Sequence, residues 1–282
     1  MEQSFFMRPG VLLVPSMCTD ENLKLMRQCG ATDIVLTCPG FTLDDLSKSV
    51  ERIRKFGLKV DVIERFVPHD KIVHGLPGAD EQIEDIKRLI RNMGACGVKV
   101  LCYNWMPSDD WTRTALDLPD RGGALCTAFD VQERARRLAG QTIQGADVAT
   151  PASKLWATLE GFLRAVLPVC EQSGVQLALH PDDPPLQTLH GMPQIVYDID
   201  QIERVTKLVP SPSNGICFCQ VTERGFERAP VLSCSCLTDR LLSLTPLLSA
   251  QRHVPREGPR RARKVHGHLC RARCGTAAYE LG

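Results

Sequence analysis

The chain has 282 residues, 43% apolar and 24% charged, with a formal net charge of +1. That length accommodates one large α/β domain or two small ones, and the ordinary globular composition excludes a wholly disordered chain. No apolar run approaches the ~20 residues of a membrane helix, and Met1 to Gly10 lacks the basic-then-apolar order of a secretory leader, so a cytoplasmic protein with no membrane partner is expected.

In chain order, the first predicted strand is the apolar run Gly10 to Val14. A unit then recurs four times, in which an amphipathic helix closes at a glycine and a short apolar run follows. Gly30 precedes Asp33 to Leu36, and Gly57 precedes Val60 to Ile63. Gly97 precedes Val98 to Leu101, and Gly174 precedes Val175 to Leu179. Glycine suits the left-handed turn that ends a helix, and the run after it suits a buried parallel strand. A late run, Gly215 to Cys219, brings the predicted strands to six.

The intervening helices show their apolar faces: Leu43, Leu46, Val50 and Ile53 recur at helical spacing, as do Ile83, Ile86, Leu89, Ile90 and Met93. Thr42 with Asp45 resembles a capping box, and Thr150 followed by Pro151 reads as a helix cap with a first-turn proline. The helix starting there carries Leu155, Leu159, Phe162, Leu163 and Val166, and its interior Pro168 is expected to bend it. Residues 109–150, which hold Gly122, Gly123, Gly140 and Gly145, form a long connection of the kind that serves as a lid or an insertion.

Strand–helix alternation implies a parallel sheet, either doubly wound or closed as a barrel. No strand-to-helix junction carries a glycine-rich phosphate fingerprint, which removes the main support for a dinucleotide fold. Polar side chains do stand at the C-terminal ends of four strands: Glu64, Asn104, His180 and Cys219. A (β/α) barrel gathers those ends on one face and builds its active site there, so a barrel is the expected fold.

His180 opens a rigid turn, His180 to Pro185, in which Asp182 and Asp183 lie close to an imidazole. That combination suits a divalent metal or acid–base chemistry, and it equally suits a strand-ending turn with solvated aspartates. Alternation places Cys217 and Cys219 on one strand face with Phe218 opposite; such cysteines serve as packing residues or as ligands. Arg113 has the planar fork to clamp a carboxylate, and Asn104 can hold a hydroxyl. The bland alternative is a surface loop pinned by Trp105 and Trp111. His69 and His74 read as solvated loop histidines.

The segments Cys102 to Pro107 with Asp110 to Thr114, His180 to Pro185, and Asn214 to Cys219 together resemble signatures of bacterial mannonate dehydratases, in the same order and with similar spacing. The resemblance spans about residues 8–220. It implies a TIM-type, xylose-isomerase-like barrel and the dehydration of D-mannonate to 2-dehydro-3-deoxy-D-gluconate in hexuronate (glucuronate) breakdown, with Mn²⁺ or Fe²⁺. His180 and Cys219 match two metal ligands of that family. Asn104, Arg113, Glu64, Asp182 and Asp183 become candidates for holding the sugar acid, and a homo-oligomer is compatible with the likeness. The C2 proton beside a carboxylate is weakly acidic, so a metal that stabilises the enediolate and an acid that assists loss of the C3 hydroxyl suit the reaction.

Nothing after Gln220 matches the family's remaining segments, which bring a second histidine ligand, an aspartate ligand and a catalytic tyrosine. About six of the eight barrel units are therefore expected in residues 1–220, followed by a poorly ordered tail, 221–282. Charge and composition break at the same point. Residues 1–220 hold 23 Lys+Arg and 28 Asp+Glu, whereas the tail holds 11 and 5, with ten arginines, one lysine and no isoleucine. Translation of a GC-rich gene in a wrong frame produces such a bias, so a frameshift or aberrant gene end is the expected origin. Under that reading the chain is a catalytically inactive remnant with only non-specific contacts by its basic tail. Cys234, Cys236, His266, His268, Cys270 and Cys274 fit no standard zinc spacing. Arg260, Arg261, Arg263 and Lys264 lack the interleaved aromatics of a specific nucleic-acid site. The thirteen cysteines are scattered through apolar segments and read as reduced thiols rather than a disulfide framework.

Overall fold

A computed structural model describes residues 8–65, 67–108, 112–138 and 150–219. Its elements are, in order, β1 (Gly10–Leu13), α1 (Asp20–Gln28), β2 (Asp33–Leu36), α2 (Leu43–Arg54), β3 (Lys59–Glu64), α3 (Asp70–His74), α4 (Ala79–Cys96) and β4 (Val100–Tyr103). They continue with β5 (Ala115–Pro119), β6 (Leu125–Ala128), α5 (Val131–Leu138), α6 (Ala152–Ser173), β7 (Gln176–Leu179), β8 (Thr188–Leu189), β9 (Met192–Pro193), α7 (Ile199–Leu208) and β10 (Asn214–Ile216). The tail 221–282 lies outside the described residues, as do Asp109, Asp110, Trp111, Gly140 and Gly145.

The helices begin and end where their chemistry dictates. Thr19 and Thr42 accept the amides of Asn22 and Asp45, and Asp198 with Gln201 forms a full capping box at α7. Gly174 closes α6 in the left-handed region at φ 65°, with its amide on Cys170 O, and β7 starts two residues later. Gly94 allows α4 to meet the end of α6: a Cβ there would lie 2.5 Å from Ser173 O. One expectation is corrected at α6: the Thr150 hydroxyl does not cap the helix but lies 2.7 Å from His74 Nδ1, and Pro151 takes the cap position without a side-chain bond. Pro168 lies inside the helix, which runs on to Ser173.

Six strands form one sheet in the order β1-β2-β3-β4-β7-β10, and every neighbouring pair is parallel. Each strand sits beside the next one of the βα series, so there is no reversal of order such as a doubly wound sheet requires. A sheet wound in one direction, with a helix between each strand and the next, is the wall of a TIM-type (β/α) barrel. Ile34, Leu36, Ile63, Leu101, Leu177 and Leu179 are buried in one core with Leu46, Ile53, Leu89, Ile90, Met93, Leu159, Leu163 and Val166 of the helices. Alternate strand residues (Val35, Val62, Gln176 and Ala178) are only half-buried, as befits the opposite face. Residues 112–138, within the long connection expected to serve as a lid or an insertion, form the antiparallel hairpin β5–β6 followed by α5. Among the described residues no helix is long and apolar enough to cross a membrane.

Candidate functional site

Parallel pairing carries all six strand ends to one edge, and the register layers their polar residues. Glu64 pairs with Cys102, Cys102 with Ala178, and Ala178 with Gly215. Two residues further along, Asn104, His180 and Cys217 follow, and Cys219 ends the series. The structure thus assembles at one end of the sheet the four strand-end residues that the sequence singled out.

His180 is 6% exposed, and its Nδ1 lies 2.7 Å from Pro181 O. A carbonyl can only accept, so Nδ1 carries a hydrogen and the ring presents Nε2 to the other side. Burial works against a charged imidazole here, but a hydrogen bond to Cys219 and the nearness of Cys217 and Cys219 outweigh it, and the His180 pKa rises to about 10. Cys217 is engaged in turn by Cys102. That hydrogen bond and burial keep the proton on Cys102, and the same hydrogen bond, with the nearby His180, holds the Cys217 thiol below its ordinary value against the effect of its own burial. This thiol pair escaped the sequence reading, because the register that joins β4 to β10 across β7 exists only in the folded sheet.

The two aspartates after His180 are buried rather than solvated. Asp182 is fully buried, and its Oδ2 accepts the Val196 amide at 2.6 Å. Burial raises its pKa to about 7, against the pull of the Val196 and Ile195 amides. Asp183 accepts both terminal nitrogens of Arg113, at 3.1 and 2.8 Å, while Arg113 Nε bonds Thr127 Oγ1 at 3.2 Å. Two residues proposed separately to hold a substrate therefore hold each other. Asn104 is buried, with Oδ1 accepting the Met106 amide at 3.1 Å.

A cavity of about 400 Å³ opens beside these residues, and its wall includes Glu64, Arg65, His69, Cys102, Tyr103, Asn104, Trp105, Phe162 and His180. The volume lies within the range of small-ligand sites. His69, expected in solvent, stands in this wall with Nδ1 2.8 Å from Val67 O and its ring 6.1 Å from that of Trp105. Trp105 is itself 1% exposed and donates to Leu155 O, which makes it a core residue rather than a surface pin. Arg65 was also missed; its backbone is left-handed at φ 68°, which no sequence pattern signals.

His180 Nε2 and Cys219 Sγ are the donors best suited to a transition metal. The fit is supported by the outward hydrogen bond at Nδ1, which orients the ring as metal-bound histidines are oriented. Among the described residues, no three His, Cys, Asp or Glu side chains are arranged to hold a metal together.

A sequence model of the family described as D-mannonate dehydratase (UxuA) matches residues 19–149 and 141–225. Mannonate dehydratase from Thermotoga petrophila is 38% identical over 203 residues, covering 63% of this chain and 56% of that protein. The Streptococcus pneumoniae mannonate dehydratase is 35% identical over 200 residues, covering 63% of this chain and 53% of the relative. The chain thus spans little more than half the length of these curated relatives. The crystal structure of mannonate dehydratase from Streptococcus suis serotype 2 superposes with a TM-score of 0.74 at 30% identity, covering 85% of this chain and 71% of the other.

Proposed function

Because the chain belongs to the D-mannonate dehydratase family, we propose that it is a lyase converting D-mannonate to 2-dehydro-3-deoxy-D-gluconate, a cytoplasmic step of hexuronate (glucuronate) breakdown. The observation that carries this reading is the hydrogen-bonded pair of His180 and Cys219 at the ends of neighbouring strands, beside a cavity of about 400 Å³.

His180 and Cys219 would hold Mn²⁺ or Fe²⁺, a donor pair of imidazole and thiolate that suits such ions better than Ca²⁺. Bound there, the ion supplies Lewis acidity toward the charge that develops as the C2 proton leaves. The chain's own residues do the rest of the positioning. Pro181 O fixes the His180 ring, Asn104 and Glu64 offer hydrogen-bonding groups to sugar hydroxyls from the cavity wall, and the aromatic rings of Tyr103, Trp105 and Phe162 exclude water from its inner side.

A second reading is an impaired dehydratase, and one observation favours it: the sequence after Gln220 does not resemble the family segments that bring the other two ligands and the tyrosine. Two side chains orient a metal-bound substrate poorly, and orientation alone can account for ~7–11 kcal/mol of a barrier. The experiment that separates the readings loads the purified full chain with Mn²⁺ and follows 2-keto acid formation from D-mannonate, beside a Mn²⁺-loaded full-length relative. Turnover within about tenfold of the relative supports the dehydratase. Bound metal without turnover supports the impaired form, and turnover only with other sugar acids refutes the substrate assignment.

A further inference from the structure

We propose that His69 binds the terminal hydroxyl of the sugar acid, so that the cavity selects its ligand by the group at the end opposite the carboxylate. The proposal rests on the sugar-acid reading above and names the residue that recognises the far end of the ligand. His69 stands between β3 and α3, half-buried in the cavity wall. Its Nδ1 lies 2.8 Å from Val67 O. A carbonyl can only accept, so Nδ1 carries the ring hydrogen, and Nε2 of the neutral ring is a bare acceptor turned from Val67. Among the described residues, Nε2 has no hydrogen-bond partner. His180 is set in the same way by Pro181 O at 2.7 Å. Two imidazoles of one wall thus keep Nδ1 on their own loops and leave Nε2 for other contacts.

Their positions give the two rings different tasks. β3 and β7 are separated by β4 in the sheet, which sets their ends about 10 Å apart. His180, at the end of β7, meets Cys219. The carboxylate belongs at that end, where a bound ion would face the charge that develops beside it. An extended six-carbon acid that starts there carries its terminal hydroxyl toward the β3 side of the cavity. Val67 and Trp105 adjoin His69 on that side, the Trp105 ring with its centroid 6.1 Å away. A hydroxyl that leaves water among apolar groups is penalised unless it finds an acceptor, and Nε2 supplies one. A ligand without that hydroxyl instead leaves Nε2 unpaired in a drier site, and this asymmetry discriminates between the two.

The test is calorimetric titration of the Mn²⁺-loaded full chain with D-mannonate and with 6-deoxy-D-mannonate, which lacks only the terminal hydroxyl. The wild type, His69→Ala and His69→Gln are compared. The wild type should bind D-mannonate roughly 10-fold more tightly than the deoxy acid. His69→Ala should abolish that preference by losing affinity for D-mannonate alone. His69→Gln, whose amide oxygen can accept, should restore part of it. An equal loss for both acids in His69→Ala overturns the proposal and marks His69 as a support of its loop. A preference that persists in His69→Ala hands the hydroxyl to another wall residue and also overturns it, as does a wild type without preference; both leave the dehydratase reading standing. A wild type that binds neither acid overturns both.

Discussion

Arg113 and Asp183 are 70 positions apart in the chain, yet they meet through two parallel hydrogen bonds of 3.1 and 2.8 Å, with side chains 18% and 11% exposed. One belongs to the segment that leads into the β5–β6 hairpin, the other to the turn that follows His180. The pair therefore anchors the 112–138 segment to the loop that carries the candidate metal ligand. Arg134, whose Nε and Nη2 lie 3.1 and 2.8 Å from His190 Nε2, provides a second anchor from α5.

A bidentate, largely dehydrated pair should have measurable coupling, unlike the exposed pairs on α2 or α5. Asp183→Asn and Arg113→Gln are each expected to lower stability by about 1–3 kcal/mol. Their double-mutant cycle in urea should return a coupling of at least about 1 kcal/mol, with faster proteolysis between Ala115 and Ala128 in both variants. Additive effects would show that the contact contributes nothing.

Tyr103 packs against Phe162 and Trp105 with ring centroids 5.5 and 6.4 Å apart, and its buried hydroxyl has no hydrogen-bond partner among the described residues. Burial keeps that phenol protonated far above its ordinary pKa. An unsatisfied buried hydroxyl opposes folding, so Tyr103→Phe should stabilise the chain by about 1 kcal/mol. A lowered urea midpoint would contradict this and point to a water bound at the hydroxyl.

Asp182 sets a pH dependence with a definite sign. Its pKa is raised to about 7 in the folded chain, against an ordinary 3.8. Between those values the folded state binds a proton that the unfolded state has released, so the contribution to stability falls as pH rises from about 4 to about 7 and is level above. Asp182→Asn retains an oxygen for the Val196 amide and removes the titration. The stability of the variant relative to wild type should therefore increase from pH 5 to pH 8 in metal-free protein, by an amount on the order of 2–3 kcal/mol. A constant difference across that range would rule out the raised pKa.

How far the sequence spoke for itself follows from which signals are local. The six strands and their order are local features: four are apolar runs after a glycine that closes a predicted helix, and β1, β2, β3, β4 and β7 appear within about two residues of their expected limits. His180 and Asn104 were legible because a strand end is a position, and position decides which way a barrel residue faces. Arg65 was not, since alternation argued against it and only a positive φ reversed the outcome. The partners of Arg113 and Cys217 were hidden for another reason. Both contacts join segments far apart in sequence, where no periodicity reaches. Nor did the hairpin of residues 115–128 stand out, because its leucines are exposed, Leu116 at 73% and Leu125 at 66%, instead of marking a buried face.

The metal assignment is the most discriminating prediction, because two cysteines of one strand face compete for it. Cys219 hydrogen-bonds His180, whereas Cys217 lies one layer deeper and is engaged by Cys102. β7 and β10 pair directly, and paired strands run about 4.8 Å apart, so an imidazole and a thiolate extending from their ends can share one ion. A thiol already committed to a neighbouring thiol deeper in the barrel is less available. His180→Ala and Cys219→Ser should each abolish stoichiometric Mn²⁺ or Fe²⁺ binding, whereas Cys217→Ser should retain it. Substituting Co²⁺ makes the distinction visible, since a thiolate ligand gives a charge-transfer band that only the Cys219 variant should lose once the ion is bound in excess. Loss of the band in Cys217→Ser with retention in Cys219→Ser would exchange the roles of the two cysteines. Unchanged metal content in both His180→Ala and Cys219→Ser would remove the metal from this end of the sheet altogether.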